Sequence, residues 1–271
     1  MATISHLTRL APLTGTIAYK HIIPTPPTTN PGILLINGFY SSFSASLKHT
    51  HLETHCHTRT LPYLTYDHYA HGLSSGKMED FSISRAADDL FHILDSVALS
   101  DRPYIFVGSS MGLWLSLIAA KERPHRVAGI VGLGGAINFT EKFENEIPAA
   151  EMDRMRAESD EGLFSFWRRP SSYNPDGYII GWKLLQDGKK CKIGTNFPVT
   201  CPIELIHGLN DADVPYEEAV NISHLVKSPN VTITLVKGGN HRLSTEQDLS
   251  LLSTILDRLT KSIYPSLQNS Q

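Results

Sequence analysis

Cysteine is scarce in this chain: 271 residues carry three, Cys56, Cys191 and Cys201. So few, so scattered, exclude a disulfide framework and a zinc knuckle. A surplus of one charge is missing as well, with 24 Lys plus Arg against 27 Asp plus Glu, a net charge of −3 and no basic cluster. That balance argues against a surface built to neutralise phosphates, and no nucleic-acid partner is expected. No apolar run approaches the roughly 18 residues of a membrane-spanning helix, so no membrane span is expected. Internal repeats and low-complexity tracts are absent; Pro24 to Pro31 is a proline-rich loop between two strand candidates. Acidic residues do not occur before Glu53, and Arg9 and Lys20 lie in that stretch. An acid-poor, Ser/Thr-rich start fits a mitochondrial transit segment, but strand-like sequence from near Leu13 leaves only about a dozen residues for one. No secretory signal pattern is present. A cytoplasmic location is therefore expected, with a mitochondrial one as the alternative.

What is present is a globular composition, 41% hydrophobic and 19% charged, which excludes extended disorder. Histidine stands out with thirteen copies, four of them at His49, His51, His55 and His57. Along the chain, short apolar runs alternate with helical patterns. The strand candidates are Thr14–His21, Ile33–Asn37, Leu61–Asp67, Tyr104–Ser109, Val127–Leu133, Pro202–His207 and Val231–Val236. The middle runs are nearly all apolar, as in parallel strands covered on both faces. After Asp80, apolar residues at Phe81, Leu90, Phe91, Leu94 and Val97 give one amphipathic helix. Ser244-Thr-Glu-Gln247 reads as a capping box ahead of Leu249, Leu252, Ile255, Leu256 and Leu259. This alternation implies an α/β fold, a mostly parallel central sheet flanked by helices.

Residues 136–197 interrupt the rhythm. A charged helix-like stretch from Glu141 to Asp160, with an apolar edge at Met152 and Met155, precedes an aromatic run of Phe164, Phe166, Trp167, Tyr173, Tyr178 and Trp182. A structureless loop of that length is improbable in a compact domain. The segment is expected to be a small helical lid insertion, with residues 1–135 and 198–271 forming the core.

Gly108-Ser109-Ser110-Met111-Gly112 carries the chemistry. Alone, G-x-S-x-G is a weak signal. Here it follows the strand Tyr104–Val107 and opens a helix running from Leu113 toward Glu122, the strand–turn–helix setting of a nucleophile elbow. A serine at neutral pH needs a base, and on such an elbow the partners follow in the order Ser, Asp, His. His207-Gly-Leu-Asn-Asp211-Ala-Asp213-Val-Pro215 follows the strand ending at Ile206 and offers two acids. Asp211 is preferred, because Asp213 sits where it could cap the next helix. Gly238-Gly-Asn-His241-Arg242 follows the last strand and delivers His241 to the strand tips. Asn37-Gly38-Phe39-Tyr40 supplies an oxyanion loop, with the backbone N–H groups of Phe39 and Met111 as donors. Ser110, Asp211 and His241 then form a triad that attacks an acyl carbon and passes through an acyl-enzyme. A serine nucleophile points to esters or thioesters and needs no metal or organic cofactor. Two other readings remain: the same triad used for acyl transfer, cyclisation or carbon–carbon cleavage, and a non-catalytic ligand-binding module.

The elbow, the Asp67-His-Tyr-Ala-His-Gly72 turn and the His-Gly-x-x-Asp-x-x-Val-Pro stretch resemble serine hydrolases of the α/β-hydrolase superfamily. Gly108-Ser-Ser-Met-Gly-Leu-Trp114, Pro170-Ser-Ser-Tyr173 and His241-Arg242 are similar to a narrower group, the palmitoyl-protein thioesterase or mycophenolic acid acyl-glucuronide esterase family, over roughly Gly32 to Leu259. The resemblance implies an α/β-hydrolase fold, the triad Ser110, Asp211 and His241, and cleavage of acyl thioesters and activated acyl esters. One departure is Asn37-Gly38 where that family usually has His-Gly. Tyr40, Trp114, Phe164, Trp167 and Tyr173 are expected to line an apolar acyl pocket, and Arg168 and Arg169 to meet an anionic group. The four clustered histidines are expected on a solvated helix face, with no metal bound.

Overall fold

The apolar runs pair side by side in one sheet because strands that are hydrophobic on both faces must be covered on both. The structure, a computed structural model, describes residues 3–9, 14–26, 30–171 and 174–264. Ten strands are described: β1 (Ser5–Thr8), β2 (Thr16–Ile22), β3 (Gly32–Ile36), β4 (Tyr63–Tyr66), β5 (Tyr104–Ser109), β6 (Val127–Leu133), β7 (Phe166–Arg169), β8 (Tyr178–Gly181), β9 (Ile203–Gly208) and β10 (Val231–Val236). Eight of them form a sheet ordered β1-β2-β4-β3-β5-β6-β9-β10. The first two pairings are antiparallel and the rest parallel.

The helices are α1 (Leu47–Thr58), α2 (Ile83–Ser96), α3 (Met111–Glu122), α4 (Phe139–Glu146), α5 (Ala149–Asp160), α6 (Trp182–Lys190), α7 (Glu217–Leu225) and α8 (Glu246–Ile263). Strand residues alternate between the faces. Leu34, Ile36 and Phe106 pack with apolar residues of α2, α3 and α7. Ile33, Leu35, Ile105 and Val107 pack with Leu52 of α1 and Leu252, Ile255 and Leu256 of α8.

Several elements differ from the sequence reading. Strand β1 lies in the stretch left open as a leader, and Arg9 after it is buried in a two-point ion pair with Asp89 of α2, at 2.7 and 2.9 Å. The capping box of α8 sits one residue later than expected: Thr245 accepts the Asp248 N–H at 3.2 Å, and Asp248 accepts the Thr245 N–H at 3.0 Å. The helix-like stretch from Glu141 is two helices, because Pro148 cannot continue the ladder. Residues 136–197 also contain the antiparallel pair β7–β8, so the segment is not purely helical.

The clustered histidines do not form a solvated face. His49 and His55 are buried: His49 Nδ1 meets the Tyr63 hydroxyl at 2.8 Å, and His51 Nε2 and His55 Nδ1 share the Ser253 hydroxyl of α8 at 2.8 and 3.0 Å. Three of the four therefore pin α1 to its neighbours, and His57 alone is exposed.

Candidate active site

The parallel strands end together, and the loops leaving β3, β5, β9 and β10 meet at that edge. Ser110 stands between β5 and α3 with φ 52° and ψ −119°, the strained backbone of a serine on a sharp turn. Such a turn needs glycine on both sides. A Cβ on Gly112 would lie 2.0 Å from the Ile36 carbonyl oxygen of β3, and one on Gly108 would lie 2.6 Å from the Gly112 carbonyl. Ser110 occupies the position preceding α3 but makes no side-chain capping bond, so its hydroxyl is left to the cleft. Its N–H donates to Leu133 O at 2.9 Å, which ties the turn to β6.

His241 Nε2 lies 3.1 Å from Ser110 Oγ, and His241 Nδ1 lies 2.8 Å from Asp211 Oδ2. A carboxylate only accepts, so Nδ1 carries the proton and the Nε2 lone pair faces the serine. Asp211 is almost fully buried. Its Oδ1 accepts the N–H groups of Asp213 and Val214, both at 2.9 Å, and its Oδ2 also accepts from His207 Nε2 at 3.2 Å. Burial alone would raise the Asp211 carboxyl; the hydrogen bonds from His207, His241 and the Val214 amide outweigh it and hold the group well below the usual carboxylate range. Asp213 contributes its amide to this loop, and it does not cap α7, whose first position follows Tyr216. Among the described residues the ligating atoms of Asp211, Asp213 and His241 lie within 4.8 Å of one another, but Asp211 and His241 are already engaged with each other.

Gly38 passes close to the serine, and its amide-bearing neighbour Phe39 lines the same cleft. The turn bonds around the elbow use other amides: Ser41 N–H to Gly38 O, Ser110 N–H to Leu133 O and Leu113 N–H to Ser110 O. The Phe39 ring is seated among Phe81, Phe139, Tyr178 and His71, with centroids 5.5 to 6.1 Å apart. Behind the loop, His68 Nε2 donates to Asn37 O at 3.0 Å, and Asn37 Nδ2 donates to Tyr66 O at 3.3 Å. Burial pulls the fully enclosed His68 and His71 down to about 4 and about 3, so both are neutral. The cleft around Ser110 and His241 has a volume of about 1080 Å³.

Residues 31–184 match the family described as alpha/beta hydrolase fold. The chain belongs to the alpha/beta hydrolase family. It is 30% identical over 259 residues to rat "Palmitoyl-protein thioesterase ABHD10, mitochondrial", covering 95% of this chain and 82% of the relative. The solved structure of mouse alpha/beta hydrolase domain-containing protein 10 matches with a TM-score of 0.83 at 28% identity, over 97% of this chain and 100% of that one. A putative hydrolase from Agrobacterium vitis S4 gives the same TM-score at 26% identity, over 96% and 98%. This chain is accordingly a hydrolase enzyme.

The structure of this hydrolase brings Ser110, His241, Asp211, Phe39 and Met111 to one edge of the sheet, and Tyr40 joins them in the cleft wall. The Tyr40 hydroxyl accepts the Ile179 N–H at 2.7 Å and its ring stacks on Tyr178 at 4.3 Å. The other pocket aromatics lie elsewhere. Trp114 is fully buried against Phe139, and its indole N–H donates to Cys191 O at 3.0 Å, so it seats the segment 136–197 on α3. Trp167 packs with Met155, Ile180 and Leu185 in that segment's own small core. Phe164 is 62% exposed beside a separate shallow pocket with Leu163 and Trp182. Tyr173 lies outside the described residues.

Arg169 reaches the cleft but pairs with Glu146 at 2.5 Å, and Arg168 donates to Asp176 O at 3.2 Å. Of the aromatic wall, Tyr178 belongs to the aromatic run read from the sequence, and Phe139 and Phe143 were missed. Phe139 and Phe143 stand four apart at the start of a charged stretch, a spacing that puts both on one helix face.

Proposed function

We propose that this chain is a serine hydrolase that cleaves acyl thioesters and carboxylic esters through Ser110, His241 and Asp211. The reading rests on one observation, the unbroken chain from Ser110 Oγ to His241 Nε2 and from His241 Nδ1 to Asp211 Oδ2, at 3.1 and 2.8 Å, inside a cleft. His241 takes the hydroxyl proton as Ser110 Oγ attacks the acyl carbon. The carbonyl oxygen gains negative charge and is met by the N–H groups of Phe39 and Met111, the latter at the positive end of α3. The proton on His241 passes to the leaving sulfur or oxygen as its bond to the acyl carbon breaks. Water then attacks the acyl carbon and gives a proton to His241; the bond to Ser110 Oγ breaks, His241 returns that proton to Oγ, and the acid leaves. Asp211 keeps the imidazole in the required tautomer and stabilises its charged form.

The aromatic wall of Phe39, Tyr40, Phe139, Phe143 and Tyr178 suits an apolar acyl chain. Together with the description of the relatives as palmitoyl-protein thioesterases, this favours a long acyl thioester as substrate. Residues 136–197 supply most of that wall and act as its lid. The relatives' description as mitochondrial also favours that location over the cytosol; a fluorescent fusion of the full chain checks it.

Labelling with a fluorophosphonate probe tests the nucleophile. One adduct is expected on the wild type and none on Ser110→Ala. An adduct that persists in the variant removes Ser110 from the role. A matched series of acyl thioesters and p-nitrophenyl esters then reads the acyl preference, expected to rise with chain length.

A further inference from the structure

Two histidines, not one, bond to the carboxylate of Asp211. His207 is the penultimate residue of β9 and is 1% exposed. Its Nε2 lies 2.9 Å from Val214 O and 3.2 Å from Asp211 Oδ2. Both are acceptors, so Nε2 carries a proton and shares it between them. The same Oδ2 accepts from His241 Nδ1 at 2.8 Å, while Oδ1 is occupied by the amides of Asp213 and Val214. All four acceptor positions of the carboxylate are filled, by donors from β9, the loop after it and the loop after β10.

From this arrangement we infer that His207 is a positioning residue which, by sharing Asp211 Oδ2 with His241, holds the carboxylate and lowers the proton affinity of the His241 imidazole. The role rests on the reading of Ser110, His241 and Asp211 as the reacting groups. Each hydrogen bond donated to a carboxylate withdraws negative charge that would otherwise stabilise a cation beside it. His241 must be neutral to accept the serine proton and cationic during the attack.

The groups facing His207 fit this assignment. Asp211 lies on the adjoining loop, Glu218 of α7 is close enough to act on it, and His241 meets it across Oδ2; Asp213 contributes its amide to the same loop. Burial pulls the His207 imidazole down, but Asp211 and the Val214 carbonyl more than reverse it and raise it above the ordinary histidine value.

Two replacements separate sharing of a hydrogen bond from simple packing. His207→Gln places an amide N–H where Nε2 stands and keeps the donor. His207→Leu keeps bulk and removes it. Protonation of His241 is followed by nitrogen NMR of histidine-labelled resting enzyme, a readout that needs no turnover. The acid limb of kcat/KM for a p-nitrophenyl ester is measured beside it.

His241 in the Leu variant is expected to bind its proton about threefold to tenfold more tightly, moving the acid limb up by about half a unit to one unit, a fraction of what one hydrogen bond to a charged group is worth. The Gln variant is expected within about twofold of the wild type on the same scale. A Leu variant with native circular dichroism and an unmoved His241 titration overturns the inference. Equal shifts in Leu and Gln also overturn it, because charge rather than the shared bond would then be responsible. Should the Leu variant not fold, His207→Asn, too short to reach Oδ2, takes its place with the same expected shift. Absent turnover in every form would count against the proposed reaction, whereas the NMR titration still decides the role of His207.

Discussion

Gly38→Ala is the sharpest perturbation of the proposed oxyanion loop. An added Cβ would stand 3.1 Å from Ser110 Cβ, 3.2 Å from Ser109 O and 3.7 Å from Ser110 Oγ. The first two contacts are a few tenths of an ångström tighter than ordinary van der Waals distance. Something must yield, and the serine is the less able to do so. Its turn is fixed by the Ser110 N–H to Leu133 O bond and by Gly112 lying against β3. The loop therefore retreats, and the Phe39 N–H moves with it. Donors to an oxyanion work at about 2.7–3.1 Å, and losing one outright costs about 10²–10³ in kcat.

A retreat of a few tenths of an ångström should cost part of that, about 10-fold to 100-fold in kcat. KM should stay within about threefold, because Phe139, Phe143 and Tyr178 stay in place and Phe39 moves by only a few tenths of an ångström. Mild overpacking costs about 1–3 kcal/mol, which for a chain this size lowers the melting temperature by about 2–10 °C. Steady-state kinetics on a p-nitrophenyl ester, beside a thermal melt, read both. A folded Gly38→Ala enzyme with wild-type kcat would refute the reasoning and remove the Phe39 amide from the oxyanion site.

Three further outcomes are expected. Asp211→Asn should lower kcat by about 10³–10⁴ and Asp213→Asn by less than about tenfold, since Asp213 bonds to Asp211 through its backbone amide, which the substitution keeps; similar losses for both would contradict the assignment. Trp114→Phe gives up the bond to Cys191 O and some buried volume, so it should destabilise by about 1–3 kcal/mol without altering acyl-chain preference; a changed preference in the chain-length series would return Trp114 to the pocket. His68 and His71, at about 4 and about 3 in the fold against an ordinary 6.5, contribute stability that is complete above about pH 6.5 and lost as the pH falls toward 4, at about 1.4 kcal/mol per unit for each. Urea midpoints at pH 7.5 and 5.5 should differ accordingly, and the gap should narrow when both are replaced by Asn.

The sheet was legible because its central strands obey a rule that leaves a plain trace. A parallel strand covered on both faces must be apolar at consecutive positions, and Gly32–Ile36 and Tyr104–Val107 are. Strand β1 left no such trace. It sits at the sheet edge, with Ser5 and Leu7 only partly covered and His6 and Thr8 exposed, and an edge strand needs few apolar residues. The hairpin β7–β8 was hidden for a similar reason, since its strands are only four residues long and β7, with no buried residue, ends in Arg168 and Arg169. The one-residue shift of the α8 capping box has a local cause. Ser244 spends its hydroxyl on Arg242 O and meets Lys48, so the cap passes to Thr245, whose partner at N3 is Asp248 rather than Gln247.

The proposed reacting groups were legible for a different reason: the Ser110 turn restricts its neighbours to glycine, and the two loops after β9 and β10 bring an acid and a histidine to the same strand ends. A serine at φ 52° between glycines, an aspartate in the loop beyond β9 and a histidine in the loop beyond β10 leave few alternatives at those strand ends. The acyl wall obeys no comparable restriction. An aromatic side chain stabilises a small core as well as a pocket, and sequence does not say which surface it faces. Trp114 and Trp167 went to cores, and Phe139, Phe143 and Tyr178 went to the cleft. Histidine shows the same division. His241 is set by its loop, whereas His49, His51 and His55 were drawn to hydroxyls on neighbouring elements that only tertiary packing brings near. Where the backbone selects the residue, function can be read from the chain; where packing selects the direction of a side chain, only the folded arrangement decides.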